Sequence, residues 1–123
     1  GDKMGLYESR VFFAKETMEY LDGPGKERIH LVDEEEILPG LLFWWTGVHH
    51  RGSMAVTVQT AKGKVNFADC AFVYENLEES RPIGCLESMA EWNEVYPRLM
   101  DADLVLPFHD DRLLEKYPEG VIA

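Results

Sequence analysis

The chain has 123 residues, the size of one domain with one core. Its 12 Lys and Arg against 23 Asp and Glu give a net charge of −11, which argues against nucleic acid or an anionic membrane surface as a partner. With 46% apolar and 28% charged residues the composition is globular rather than disordered, and two Cys cannot build a disulfide framework, so reduced thiols in a cytoplasm are expected.

The longest apolar stretch, Ile37 to Val48, is broken by Pro39 and Gly40 and is too short for a bilayer span. No cationic segment followed by an apolar core opens the chain. Its first residue is Gly1, so a longer precursor stays open. Arg10 to Ala14, β-branched and aromatic, predicts a strand. Lys15 to Leu21 predicts a short helix, stopped by Asp22-Gly23-Pro24-Gly25. Arg28 to Val32 predicts another strand, and the acidic run Asp33 to Glu36 a solvated turn. Leu41 to Thr46 is almost wholly apolar and predicts a strand buried on both faces. Met54 to Thr60 alternates as a half-buried strand does. Ala61 to Lys64 is hairpin-like, and Val65 to Ala68 returns as a strand. Glu75 to Gly84 is polar and predicts a loop. Leu86, Met89, Trp92, Tyr96, Leu99 and Met100 mark the core face of a helix, with Pro97 expected to kink it or end it early. Leu104 to Phe108 predicts a buried strand, and Asp110 to Tyr117 a helix closed by Pro118. No linker or repeat divides residues 1–123. The mixture, with its helices late, gives a layered α/β or α+β domain.

Three polar groups follow apolar strands directly: His49 after Leu41 to Trp45, Asp69 after Val65 to Ala68, and His109 after Leu104 to Leu106. Neighbouring strand ends can bring such side chains to one place. Imidazole and carboxylate suit Zn²⁺ and similar divalent ions, and a carboxylate can bridge two of them. Asp69 as a turn residue and His109 as a helix cap are the alternatives. His30 reads as an ordinary strand histidine, and Cys70 as a buried, inert thiol.

Thr46-Gly-Val-His49-His-Arg-Gly52-Ser53 resembles the Thr-Pro-Gly-His-Thr-x-Gly-His segment of metallo-β-lactamase-fold hydrolases. Phe67-Ala-Asp69 resembles the strand-ending Gly-Asp of that family, and Pro107-Phe-His109-Asp110 its last ligand motif, Gly-His-Asp. Asp69 to Asn76, Pro82-Ile-Gly84 and the closing Asp111 to Pro118 are similar to the N-acyl homoserine lactonase-like branch. The resemblance covers nearly the whole chain and implies the C-terminal half of an αββα metallo-β-lactamase sandwich. It implies His49 as a ligand of a first metal, Asp69 as the carboxylate shared by two metals, and His109 as a ligand of the second. His50 falls where the family has a non-ligand.

The chain departs from that family in three places. The signature His-x-His-x-Asp-His is absent, and Gly1 to Leu6 resembles the stretch that follows it. Phe72 stands where lactonases commonly have a Tyr, and Ser53 where the family often has a second His. The resemblance therefore implies a heteromeric, metal-dependent hydrolase, active only with a polypeptide carrying the N-terminal half. Two divalent ions, zinc by default or else manganese or iron, would hold a bridging hydroxide that opens a cyclic ester or cyclic amide, a small-molecule substrate. Asp69 would hold the pair and shuttle a proton. Thioester hydrolysis, redox chemistry at iron and a non-catalytic structural subunit are the alternatives.

Overall fold

The computed structural model describes residues 14–122, which fall into two compact units divided between Leu31 and Val32. In the first, the expected helix forms as α1 (Lys15–Asp22) and stops where Gly25 N–H turns back to Tyr20 O at 2.7 Å. A single 3-10 turn, Lys26–Arg28, follows. The strand expected over Arg28 to Val32 is absent: Arg28 closes the 3-10 turn and residues 29–32 lie in no ladder. β-branched residues favour a strand only where a neighbouring strand pairs with them. The strand expected from Arg10 lies outside the described residues, save Ala14, which belongs to no strand.

The second unit is built on one five-stranded sheet in the order β1-β2-β3-β4-β5. β1 (Glu34–Leu38), β2 (Leu41–Trp45), β3 (Met54–Thr60) and β4 (Gly63–Ala68) form an antiparallel meander. The chain then crosses through α2 (Tyr74–Glu78) and α3 (Met89–Met100) to β5 (Leu104–Leu106), which pairs parallel to β4. A final short helix, α4 (Arg112–Lys116), ends before Pro118. No helix among the described residues is long and apolar enough to cross a membrane.

Four readings of the sequence change here. The acidic run is not a turn. Glu34 to Glu36 enter β1 as an edge strand, where charged side chains stay in water and discourage further pairing. Glu34 also reaches Arg98 on α3 at 2.8 Å. β2 is not buried on both faces: Trp44 is fully buried, but Trp45 on the opposite face is 38% exposed. Part of the expected loop is α2, whose entry is stabilised by Asn76 Oδ1 accepting the Phe72 and Val73 N–H groups, both at 2.9 Å. Pro97 does not end α3, which runs to Met100. It lies near the C-terminus, and Asp101 N–H closes the last turn onto Pro97 O and Arg98 O.

Register divides the sheet into two faces. Leu42, Thr57, Asn66 and Val105 lie in one row, and Trp44, Ala55 and Ala68 in the next. These meet α2 and α3 in a core with Trp92, Val95, Leu99, Tyr74 and Leu77. A polar thread crosses it: Trp44 Nε1 donates to Thr57 Oγ1 (3.0 Å), Thr57 Oγ1 donates to Asn66 Oδ1 (2.6 Å), and Asn66 Nδ2 donates to Leu99 O (2.8 Å). Asn66→Ala strands buried polar groups at both ends and is expected to lower stability by about 1–3 kcal/mol, read by urea denaturation. The opposite face is apolar across β2 to β5 in two rows, Phe43, Val56, Phe67 and Leu106, then Leu41, Val58, Val65 and Leu104, while Glu35 of β1 stands beside Phe43 in the first.

Candidate metal centre

β2, β4 and β5 all run in the same direction, because β3 lies antiparallel between the first two and β5 is parallel to β4. Their C-terminal ends therefore share one edge of the sheet, the edge at which α/β folds commonly place their ligands. His49, Asp69 and His109 are the groups that leave those ends.

Each arrives by a constrained path. After β2, Thr46 and Gly47 donate their N–H groups to Ser53 O at 3.0 and 3.2 Å, closing a compact loop. Gly47 and Val48 take positive φ, 58° and 64°. A Cβ on Gly47 would come within 2.5 Å of both Glu91 Oε2 and the Trp45 ring. Gly47→Ala is thus expected to shift the loop and cost at least about 1–2 kcal/mol from the left-handed backbone alone, measured by urea denaturation. After β5, Phe108 and His109 continue pairing with the segment beyond β4: Phe108 N–H donates to Ala71 O (3.0 Å) and His109 N–H to Phe72 O (2.8 Å).

The Asp69 carboxylate lies between the two imidazoles. Oδ1 is 3.1 Å from His109 Nε2, and Oδ2 is 3.9 Å from His49 Nε2. The Phe72 ring stands edge-on to both, with centroids 5.0 Å from His49 and 4.9 Å from His109. The side chains of His49 and Asp69 are about a third exposed and that of His109 59% exposed, so one flank of the cluster is open.

The donor chemistry fits divalent ions, but the set is incomplete. A tetrahedral ion with bonds of about 2.0–2.1 Å separates its ligand atoms by roughly 3.3 Å. The His109 pair lies near that separation, and the His49 pair is wider. Each carboxylate oxygen has one imidazole, whereas such an ion takes about four ligands. Among the described residues no group of three or more His, Cys, Asp or Glu closes around a single ion.

His50 is used locally, its Nδ1 accepting Gly52 N–H at 3.0 Å. Cys70 is fully buried and burial pushes its thiol up to about 12, which keeps it protonated and inert. Two further residues escape sequence reasoning. Cys85, exposed in the loop before α3, places Sγ 3.5 Å from His49 Nδ1. Asp110 ties the His109 segment to α2: its carboxylate accepts Tyr74 N–H (2.8 Å) and pairs with Arg112, whose guanidinium also reaches Glu75 (2.9 Å). Arg112 and the amide of Tyr74 hold the Asp110 carboxyl down at about 2. Asp110 follows a proposed ligand directly, and that adjacency was the available signal. Nothing local marks Cys85.

No family model matches the chain, and no curated protein matches it in sequence. Solved structures do. An N-acyl homoserine lactone hydrolase with N-hexanoyl-L-homoserine at its catalytic metal centre aligns at TM-score 0.59 and 17% identity, over 72% of this chain and 39% of its own. A B. thuringiensis protein with N-decanoyl-L-homoserine at its active site gives the same values. A quorum-quenching N-acyl homoserine lactone lactonase aligns at TM-score 0.57 and 15% identity, over 76% of this chain and 40% of its own. The chain has the mixed α/β architecture of the C-terminal region of these metallo-β-lactamase-fold lactonases, and it spans about 39% of the length of the first two.

Proposed function

We propose that this chain supplies part of the active site of a metal-dependent hydrolase that opens a cyclic ester or cyclic amide. The observation that carries this reading is the Asp69 carboxylate set between the His49 and His109 imidazoles at the common end of three strands. Divalent ions held there would activate water and polarise the substrate carbonyl. His49 and Asp69 Oδ2 would hold one ion, and His109 and Asp69 Oδ1 the other. Asp69 is then placed to take a proton from the attacking water and return it to the leaving oxygen or nitrogen. Phe72 offers a bound ring an apolar edge and no hydroxyl.

The remaining ligands, in this reading, come from a polypeptide carrying the N-terminal half of the fold and its His-x-His-x-Asp-His motif. Three features support that partner: the incomplete ligand set, the apolar face of β2 to β5, and the partial span of the lactonases. Chelator dialysis of the native particle tests the function. Ring opening across a panel of lactones and lactams should vanish and return on adding Zn²⁺, Mn²⁺ or Fe²⁺. Hydrolysis that survives metal removal unchanged would count against it.

A further inference from the structure

Val48, immediately before His49, is a fully buried β-branched residue at φ 64°. Such residues avoid the left-handed region, and they persist there only when the surroundings hold them. Both of Val48's backbone polar groups end on the segment that opens α3. Val48 N–H donates to Glu91 Oε2 at 2.8 Å, and Val48 O accepts Glu87 N–H at 2.6 Å. Arg51, beyond His49, reaches Glu91 at 3.4 Å and Glu87 at 3.3 Å. The loop is thus held on both sides of His49.

Glu91 is three residues after the N-cap Ser88, whose Oγ accepts Glu91 N–H at 3.2 Å. In a reciprocal capping box the glutamate side chain would turn back to the Ser88 amide. Here it reaches across 43 positions of sequence to Val48. Its carboxylate side chain is mostly buried, 18% exposed, and the absence of a Cβ at Gly47 gives it room.

We infer that Glu91 is a positioning residue for His49: its carboxylate clamps the strained Val48 peptide and so aims the His49 imidazole at Asp69. This rests on the proposed role of His49 as a ligand. Other functions of Glu91 divide cleanly by chemistry. If the clamp is the hydrogen bond to Val48 N–H, reach matters and charge does not. If Glu91 acts only through its charge beside Arg51, the order reverses.

The native particle, holding this chain as wild type, Glu91→Gln or Glu91→Asp, is followed by NMR at the His49 and His109 rings and the Val48 amide, first metal-free and then during Co²⁺ titration. Gln keeps the reach and an acceptor oxygen, whereas Asp keeps the charge and is one methylene short. Glu91→Gln should match wild type. Glu91→Asp should shift the Val48 amide, broaden or split the His49 ring signals, and weaken the Co²⁺ response of His49 by about tenfold, with His109 within about twofold. A His49 ring that is unmoved in Glu91→Asp, or equally disturbed in Glu91→Gln, overturns the clamp. If neither histidine responds to Co²⁺ in the wild type, the metal reading fails, and the metal-free spectra still decide the clamp.

Discussion

Asp69→Ala is expected to strip the protein of both proposed ions at once. Its two oxygens face different imidazoles, 3.1 Å from His109 and 3.9 Å from His49. Removing it leaves each histidine without its carboxylate partner and withdraws the negative charge between two cations. Losing an outer-shell partner already weakens metal binding by about 10–100-fold, so loss of a shared ligand should exceed that range. His109→Ala should act on one ion more than the other. His30→Ala, in the other compact unit, should leave metal content unchanged. Elemental analysis after dialysis reads all three, and equal metal in Asp69→Ala and His30→Ala removes Asp69 from the site.

The second large effect concerns the apolar face. Val56 sits in the row Phe43, Val56, Phe67, Leu106, on the side of the sheet opposite α3. In the complex we propose, the half-open part of that row, Phe43, Val56 and Phe67, is covered by the N-terminal half, while Leu106 is already buried within this chain. Val56→Asp would then bury a carboxylate without a partner, at a cost of about 3–5 kcal/mol, or roughly 150- to 4,000-fold in affinity. Val56 keeps part of its surface open. The variant chain should therefore stay folded by circular dichroism while losing its companion on gel filtration. A variant that retains the companion as tightly as wild type would show that another surface binds it.

Much of the sheet was legible because its signals are local. Met54 to Thr60 alternates with the period of a strand, and the face of α3 recurs at helical spacing. α2 has five residues, too few to show a period. β1 was hidden because three consecutive Glu look like solvent-facing turn, and only pairing with β2 makes them a strand. Conversely, Arg28 to Val32 has strand composition and no ladder to join.

The same division runs through the site. His49, Asp69 and His109 could be picked out because each comes just after an apolar strand, and parallel strand directions then bring them to one edge. Residues that act on them from elsewhere gave no such signal. Glu91 meets Val48 across 43 positions and Cys85 meets His49 across 36. Asp110 opens the helix that the sequence predicts, yet its carboxylate is also the tie to Tyr74 across 36 positions.

In the reading we propose, this chain completes a metal centre together with an N-terminal half. Native mass spectrometry of the purified particle tests it most directly, because one spectrum reports companions and bound ions together. The expected spectrum shows the 14.1 kDa chain held with a second polypeptide bearing His-x-His-x-Asp-His, and about two divalent ions per pair, the number that one shared carboxylate can bridge. A lone 14.1 kDa species, monomeric and free of metal, would contradict it.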